Sequence, residues 1–209
     1  VTRREVSHLS LAPHASRAIS IPFLFEGKNY FTPDQEAQVW RELAGLLEDV
    51  NVPKVGQNLS FDATFLFRKF GIRSRPLHDT MIAQAIIFPD FPKGLDFIQS
   101  MYCDGEPYYK DDGKEWFRYS DGEKAFRIYS AKDSAMVAEI WPKQQQDLHT
   151  TGNWETYERQ RGLLEPLVFI GERGIRMDTE GLLTAAKDAE ERIATLEGRL
   201  QELVGDATF

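Results

Sequence analysis

Polar and apolar residues alternate along Ser7-His8-Leu9-Ser10-Leu11-Ala12 and again along Arg17-Ala18-Ile19-Ser20-Ile21. A period of two predicts two half-buried strands. Pro13-His14-Ala15-Ser16 between them is turn-like, and Pro22 closes the second run, so the pair reads as an antiparallel hairpin. From Thr32 the period changes to that of a helix. Thr32 caps it, Pro33 sits in its first turn, and Val39, Leu43, Leu46 and Leu47 form its inner face as far as about Asp49. Lys54 to Gln57 then reads as a short buried strand. Ser60 onward reads as a helix packed by Phe61, Phe65 and Leu66 and ending near Gly71. At the junction, a side-chain oxygen of Asn58 or Ser60 can cap the first free N–H groups.

His78-Asp79-Thr80 opens a further helix carrying Met81, Ile82, Ala85 and Ile86 inward. Residues 88–93, with two prolines, form a loop, and Leu95 to Tyr102 a short helix. Asp104 to Gly122 is polar, aromatic and punctuated by glycine, an excursion without periodicity. A helix follows from about Glu123 to Trp141, stopped by Pro142. Trp154 to Arg173 reads as a helix interrupted at Pro166, and Gly174 to Met177 as an extended link. Asp178 caps a long helix with a heptad seam of Leu182, Ala186, Ala189, Ile193, Leu196, Leu200 and Leu203, ended by Gly205. Its other faces are charged, so it needs one partner surface. A two-helix hairpin is the simpler expectation, and a coiled-coil dimer the weaker one for a single short run.

The 209 residues, 42% of them hydrophobic, suffice for one core plus an appendage. No apolar run is long enough to span a bilayer and no signal-peptide pattern opens the chain, so no membrane partner is expected. Cys103 is the one cysteine, which excludes an internal disulfide and points to a reducing compartment. A net charge of −8 argues against a broad electrostatic grip on duplex nucleic acid. It leaves room for an enzyme that meets a few nucleotides through bound cations. His8, His14, His78 and His149 lack the spacing of a zinc site. The segment Glu106 to Lys114 has the residue mix of a loop over a nucleic-acid groove, but a plain solvated loop is the favoured reading.

Two stretches carry candidate chemistry. Asp62 falls in a first helical turn, just past the carboxyl end of a strand, where open α/β sheets bind ligands. A carboxylate there interacts with the positive helix end or holds a metal, and the motif alone leaves both open. Tyr129 and Asp133, four residues apart, project from one helix face. A phenol beside a carboxylate suits a metal-dependent hydrolase, with the acid on a cation and the phenol orienting the attacking water. The bland alternative is a surface Asp and a half-buried Tyr.

Taken together, Gly56-Gln57-Asn58-Leu59-x-Phe61-Asp62, then His78-Asp79-Thr80-Met81, then Tyr129-x-x-x-Asp133 resembles the 3′–5′ proofreading exonuclease domain of family A DNA polymerases. Leu164-Glu165-Pro166-Leu167, followed by Glu172-Arg173-Gly174-Ile175-Arg176-Met177-Asp178, is similar to the entry into the polymerase domain of that family. The resemblance implies an α/β fold, a ribonuclease-H-like mixed sheet flanked by helices and followed by an α-helical segment. It implies an exonuclease-like domain over residues 1–150, with its first strand truncated, and the helical start of a polymerase domain over 151–209. It also implies two divalent metal ions, Mg or Mn, with Asp62 helping to hold the second and Asp133 the first. Tyr129 then positions a metal-bound water for in-line attack, while Gln57, Asn58 and Phe61 line the groove for the single-stranded 3′ end of DNA. Phe61 has core packing, and Asn58 a helix cap, as the structural alternative. The implied setting is the cytoplasm of a bacterial or phage-infected cell.

One departure bears on activity. The family's first motif is an Asp-x-Glu pair at the end of the opening strand, and no such pair precedes Ser7. Glu5 stands alone there, and Asp104-Gly105-Glu106 and Asp121-Gly122-Glu123 read as surface acids. Either the chain begins just after the motif or the domain has lost it. Truncation is favoured, because both other motifs are intact. The competing expectation is a catalytically inactive domain that keeps the fold to bind DNA or support a polymerase. A stand-alone exonuclease acting on RNA is a third.

Overall fold

A computed structural model describes residues 5–104 and 122–205. Residues Thr2 to Arg4 and the segment Glu106 to Lys114 lie outside the described residues.

The alternating runs form the expected hairpin. Strand β1 (His8–His14) pairs antiparallel with β2 (Arg17–Pro22), with Leu9 opposite Ile21 and Leu11 opposite Ile19. Two short strands, β3 (Leu24–Phe25) and β4 (Lys28–Asn29), form a second small ladder. Helix α1 (Pro33–Glu48) begins with a capping box: Gln35 donates its backbone N–H to the Thr32 hydroxyl, and Thr32 its own to the Gln35 side chain. Its buried stripe is Trp40, Leu43 and Leu47, while Leu46 is 41% exposed, contrary to expectation. Leu46 lies a quarter-turn off the line set by the indole, the largest apolar side chain available.

Strand β5 (Lys54–Gly56) runs parallel to β6 (Leu77–Asp79), a three-residue strand too short to leave a period in the sequence. The helices that follow each strand are α2 (Leu59–Phe70) and α3 (Thr80–Ile87). On α3 the fully buried positions are Thr80, Ala83 and Gln84, not the apolar set expected. Gln84 is tolerated there because Gln144 donates to its side-chain oxygen.

Helix α4 (Leu95–Tyr102) matches its predicted span. Helix α5 (Gly122–Thr150) instead continues past Pro142. The proline ring is exposed and forfeits one bond to the preceding turn, whereas Gln144 and Leu148 beyond it are fully buried, so packing prevails. The next break also moves. Helices α6 (Trp154–Arg161) and α7 (Leu164–Arg173) divide at Gly162 and Leu163, and Pro166 sits in the first turn of α7, where a missing N–H has no helical acceptor to lose.

Leu9, Leu11 and Ile21 pack with Trp40, Leu43, Leu47 and Leu66, so α1 and α2 cover one face of the hairpin. Ala12 and Ala18 pack with Ala135, Met136 and Ile140 of α5 on the other. Farther along α5, Trp141 and Leu148 join Val55 of β5. One helix thus backs both β1–β2 and β5–β6, which among the described residues remain separate two-stranded ladders.

The chain divides into two compact units between Glu172 and Arg173. Helices α6 and α7 belong to the first, through the buried Tyr157 and Leu164. The second holds α8 (Thr179–Val204), where Asp178 accepts the Gly181 N–H at 2.9 Å and Gly205 closes the end in the left-handed region. Leu182, Ile193, Leu196, Leu200 and Leu203 of its seam are exposed. No helix among the described residues is long and apolar enough to cross a membrane.

Candidate active site

The junction of β5 and α2 is tight because of Gly56. A Cβ there would stand 2.7 Å from Cδ1 of Leu59, so any larger residue would force the Leu59 side chain to shift. Asn58 follows at φ 55°, ψ 43°, a left-handed conformation that asparagine tolerates better than other side chains. In this position its side chain makes no cap, contrary to expectation. The cap comes from the next strand. Oδ1 of Asp79 accepts the Asn58 N–H at 3.1 Å, and Oδ2 accepts the Leu59 N–H at 2.7 Å. Oδ1 also accepts the Met81 N–H at 2.8 Å, capping α3. One carboxylate, 1% exposed, therefore starts two helices.

That cap fixes the first turn of α2, which presents Phe61 and Asp62. Phe61 is 62% exposed. The buried stripe of α2 runs through Leu59, Ala63 and Leu66, and Phe61 points nearly opposite to it, which excludes the core-packing alternative. Asp62 keeps access to solvent, yet its carboxyl is raised above the usual carboxylate range. Desolvation by surrounding protein is the main cause, the nearby Asp79 adds to it, and a backbone hydrogen bond opposes both. Gln57 braces the turn: the Thr80 hydroxyl donates to its Oε1 at 2.5 Å, and its Nε2 donates to the Lys93 carbonyl at 2.7 Å.

Tyr129 and Asp133 lie one turn apart on α5, both half-buried. The Tyr129 ring packs among Ile98, Met136 and their neighbours and stacks on Phe126 with centroids 6.2 Å apart. Among the described residues, no three His, Cys, Asp or Glu side chains converge into a metal-binding group. Asp62 and Asp133 are the right kind of donor for a hard cation but too few for a complete cage.

Behind the cap lies a layer that sequence reasoning missed. Tyr157 of α6 is fully buried. Its phenolic oxygen accepts the Asp79 N–H at 3.1 Å and sits 3.2 Å from Nδ1 of His78. Arg161, paired with Glu158 at 2.5 Å, donates to the Leu77 carbonyl at 3.5 Å. Burial and the Arg161 charge lower the His78 pKa to about 4, so its ring is neutral near pH 7. Asp79 was visible in sequence as a helix start, but its reach to α2 was not. Nothing marked Tyr157.

The profile of the 3′–5′ exonuclease family matches residues 4–149, a span that includes Asp62, Tyr129 and Asp133. The chain is 31% identical over 172 residues to DNA polymerase I of Rhizobium leguminosarum, covering 78% of this chain and 17% of that protein. It thus spans about a sixth of that relative's length. A solved apo form of a nuclease superposes with a TM-score of 0.61 at 18% identity, covering 82% of this chain and 80% of the other. Brucella melitensis NrnC with bound Mg2+ superposes with a TM-score of 0.55 at 19% identity, covering 80% and 83%. Both likenesses concern the fold, and they agree with an α/β, ribonuclease-H-like architecture. On the strength of the profile match and the order of its motifs, the chain belongs to the 3′–5′ exonuclease domain family of the A-type DNA polymerases.

Proposed function

We propose that this unit trims the unpaired 3′ end of DNA for an attached polymerase, by metal-assisted hydrolysis of the terminal phosphodiester. The observation that carries the reading is the first turn of α2. Asp62 stands at the carboxyl end of β5 beside an exposed Phe61, both held by a buried cap, within the span matched to exonucleases. An aromatic face stacks on any base without regard to sequence, and the amide of Asn58 is suited to a sugar hydroxyl. Gln57, engaged at both ends of its amide, braces the groove wall. On α5, Tyr129 orients the water that attacks phosphorus. Asp62 and Asp133 are the residues that would hold divalent cations, Mg2+ or Mn2+, which supply charge stabilisation at the phosphate when bound. Helices after residue 151 lead toward the polymerase.

Asp62 and Asp133 alone do not complete a metal site, and the arrangement of the strands supports a place for further acids. Among the described residues β1 and β5 each have one unpaired edge, and α5 backs both. A strand between them, bearing an acidic pair, would join the two ladders and bring the missing carboxylates beside Asp62. Adding ahead of Ser7 a strand that carries an Asp-x-Glu pair should yield Mg2+-dependent 3′–5′ trimming of 5′-labelled single-stranded DNA, abolished by Asp62→Ala. The chain as it stands should trim slowly or not at all. Equal trimming by the extended chain and its Asp62→Ala variant would overturn the proposal. The lack of a third acid among the described residues also favours a second reading, a non-catalytic domain that binds DNA ends. That reading expects DNA binding without trimming in the extended chain.

A further inference from the structure

We infer that Tyr157 is a positioning residue for the start of α2, acting through Asp79. The inference rests on the nuclease reading only for its functional meaning, since the geometry concerns one helix start.

The hydrogen bonding of β6 sets up the argument. Lys54 donates its N–H to the Pro76 carbonyl, and β5 and β6 pair Lys54 with Leu77 and Gly56 with Asp79. In a parallel ladder, alternate residues of a strand bond to one neighbour while those between face the other way. Pro76 faces β5, so Leu77 and Asp79 turn their backbone groups to the outer edge, where the described residues supply no further strand. Helix α6 fills that edge with side chains. Arg161 reaches the Leu77 carbonyl, and the Tyr157 oxygen takes the Asp79 N–H.

The phenolic oxygen accepts the Asp79 N–H and lies within hydrogen-bond distance of Nδ1 of His78, so two neighbouring residues of β6 hold it. The hydroxyl is thus anchored at the end of β6 by two contacts. The Asp79 backbone is thereby held where its carboxylate meets the N–H groups of Asn58 and Leu59. The chain of contacts runs from α6, to the end of β6, to the turn that displays Phe61 and Asp62. Tyr157 lies beyond residue 149, where the family match ends, so a residue outside that match holds the site within it.

The test is residue-resolved amide exchange by NMR on the whole chain, comparing Tyr157→Phe, Asp79→Asn and the double variant. Tyr157→Phe should lower protection of the Leu59 amide about tenfold, the scale of one lost hydrogen bond. Asp79→Asn should lower it further, and the double variant should match Asp79→Asn alone, because Tyr157 acts only through Asp79. Protection in α1 serves as the folding control. Arg161→Gln, which frees the same edge without touching Asp79, should leave Leu59 protected. Unchanged Leu59 protection in Tyr157→Phe overturns the inference. So do multiplicative effects in the double variant, or an equal loss in Arg161→Gln. Failure of Asp62→Ala to abolish trimming would sink the nuclease reading and leave the exchange result standing.

Discussion

Asp79 Oδ2 accepts the backbone N–H of Leu59 at 2.7 Å, across 20 residues of sequence. Two helix starts and one strand end meet on a side chain that is 1% exposed. Removing it leaves three N–H groups without their acceptor. Asp79→Ala should therefore destabilise the fold by about 2–4 kcal/mol, read from urea unfolding. A loss below about 0.5 kcal/mol would mean that water replaces the carboxylate at no cost.

Asn58 supplies a different constraint, a positive φ of 55°. Asn58→Gly should keep stability within about 0.5 kcal/mol, whereas Asn58→Val should cost about 1–2 kcal/mol, because a β-branched side chain resists the left-handed region. Thermal melts of the two variants decide it, and equal melting temperatures would count against strain at this turn.

His78 gives the fold an acid sensitivity. Its folded pKa of about 4 lies below the ordinary 6.5, so the unfolded chain binds the proton first. Stability attributable to this group is full above pH 6.5 and is lost as the pH falls toward about 4. Arg161 and Glu158 face the ring with opposite signs, the arginine opposing its charging and the glutamate favouring it. His78→Gln should flatten the decline between those values by an amount on the order of 1–3 kcal/mol, measured by urea unfolding at several pH values. Parallel profiles for variant and parent would assign the acid loss elsewhere.

Phe61 is exposed and remote from the stripe that α2 buries. Phe61→Ala should leave stability nearly unchanged while weakening binding of a single-stranded 3′ end by about 1–3 kcal/mol, the scale of one base–aromatic stack. Fluorescence anisotropy with a short labelled DNA is the measurement. Unaltered affinity would remove Phe61 from the groove.

What the sequence disclosed depended on how local each cause was. The hairpin, the Thr32 cap, the α8 cap at Asp178 and its glycine stop are set by residues within a turn or two of one another, and each forms as expected. The misplaced features have distant causes. α5 runs through Pro142 because Gln144 and Leu148 are buried against other elements, which the proline rule does not register. β6 is three residues long, below what a period can reveal. At the candidate site, the position of Asp62 at a strand-to-helix junction was legible from pattern alone. Its support by Asp79 and Tyr157 was not, since those partners lie far along the chain and carry no spacing of their own.

The open edges of β1 and β5 have a colloidal consequence. Among the described residues neither edge carries a further strand, and an unpaired edge is the template on which strands of other molecules add. In concentrated solution this chain should self-associate through those edges, and light scattering should rise with protein concentration. A strand set between them would occupy both edges at once. Self-association and the proposed trimming would then respond to the same few residues, so a screen for well-behaved protein would enrich the variants worth assaying.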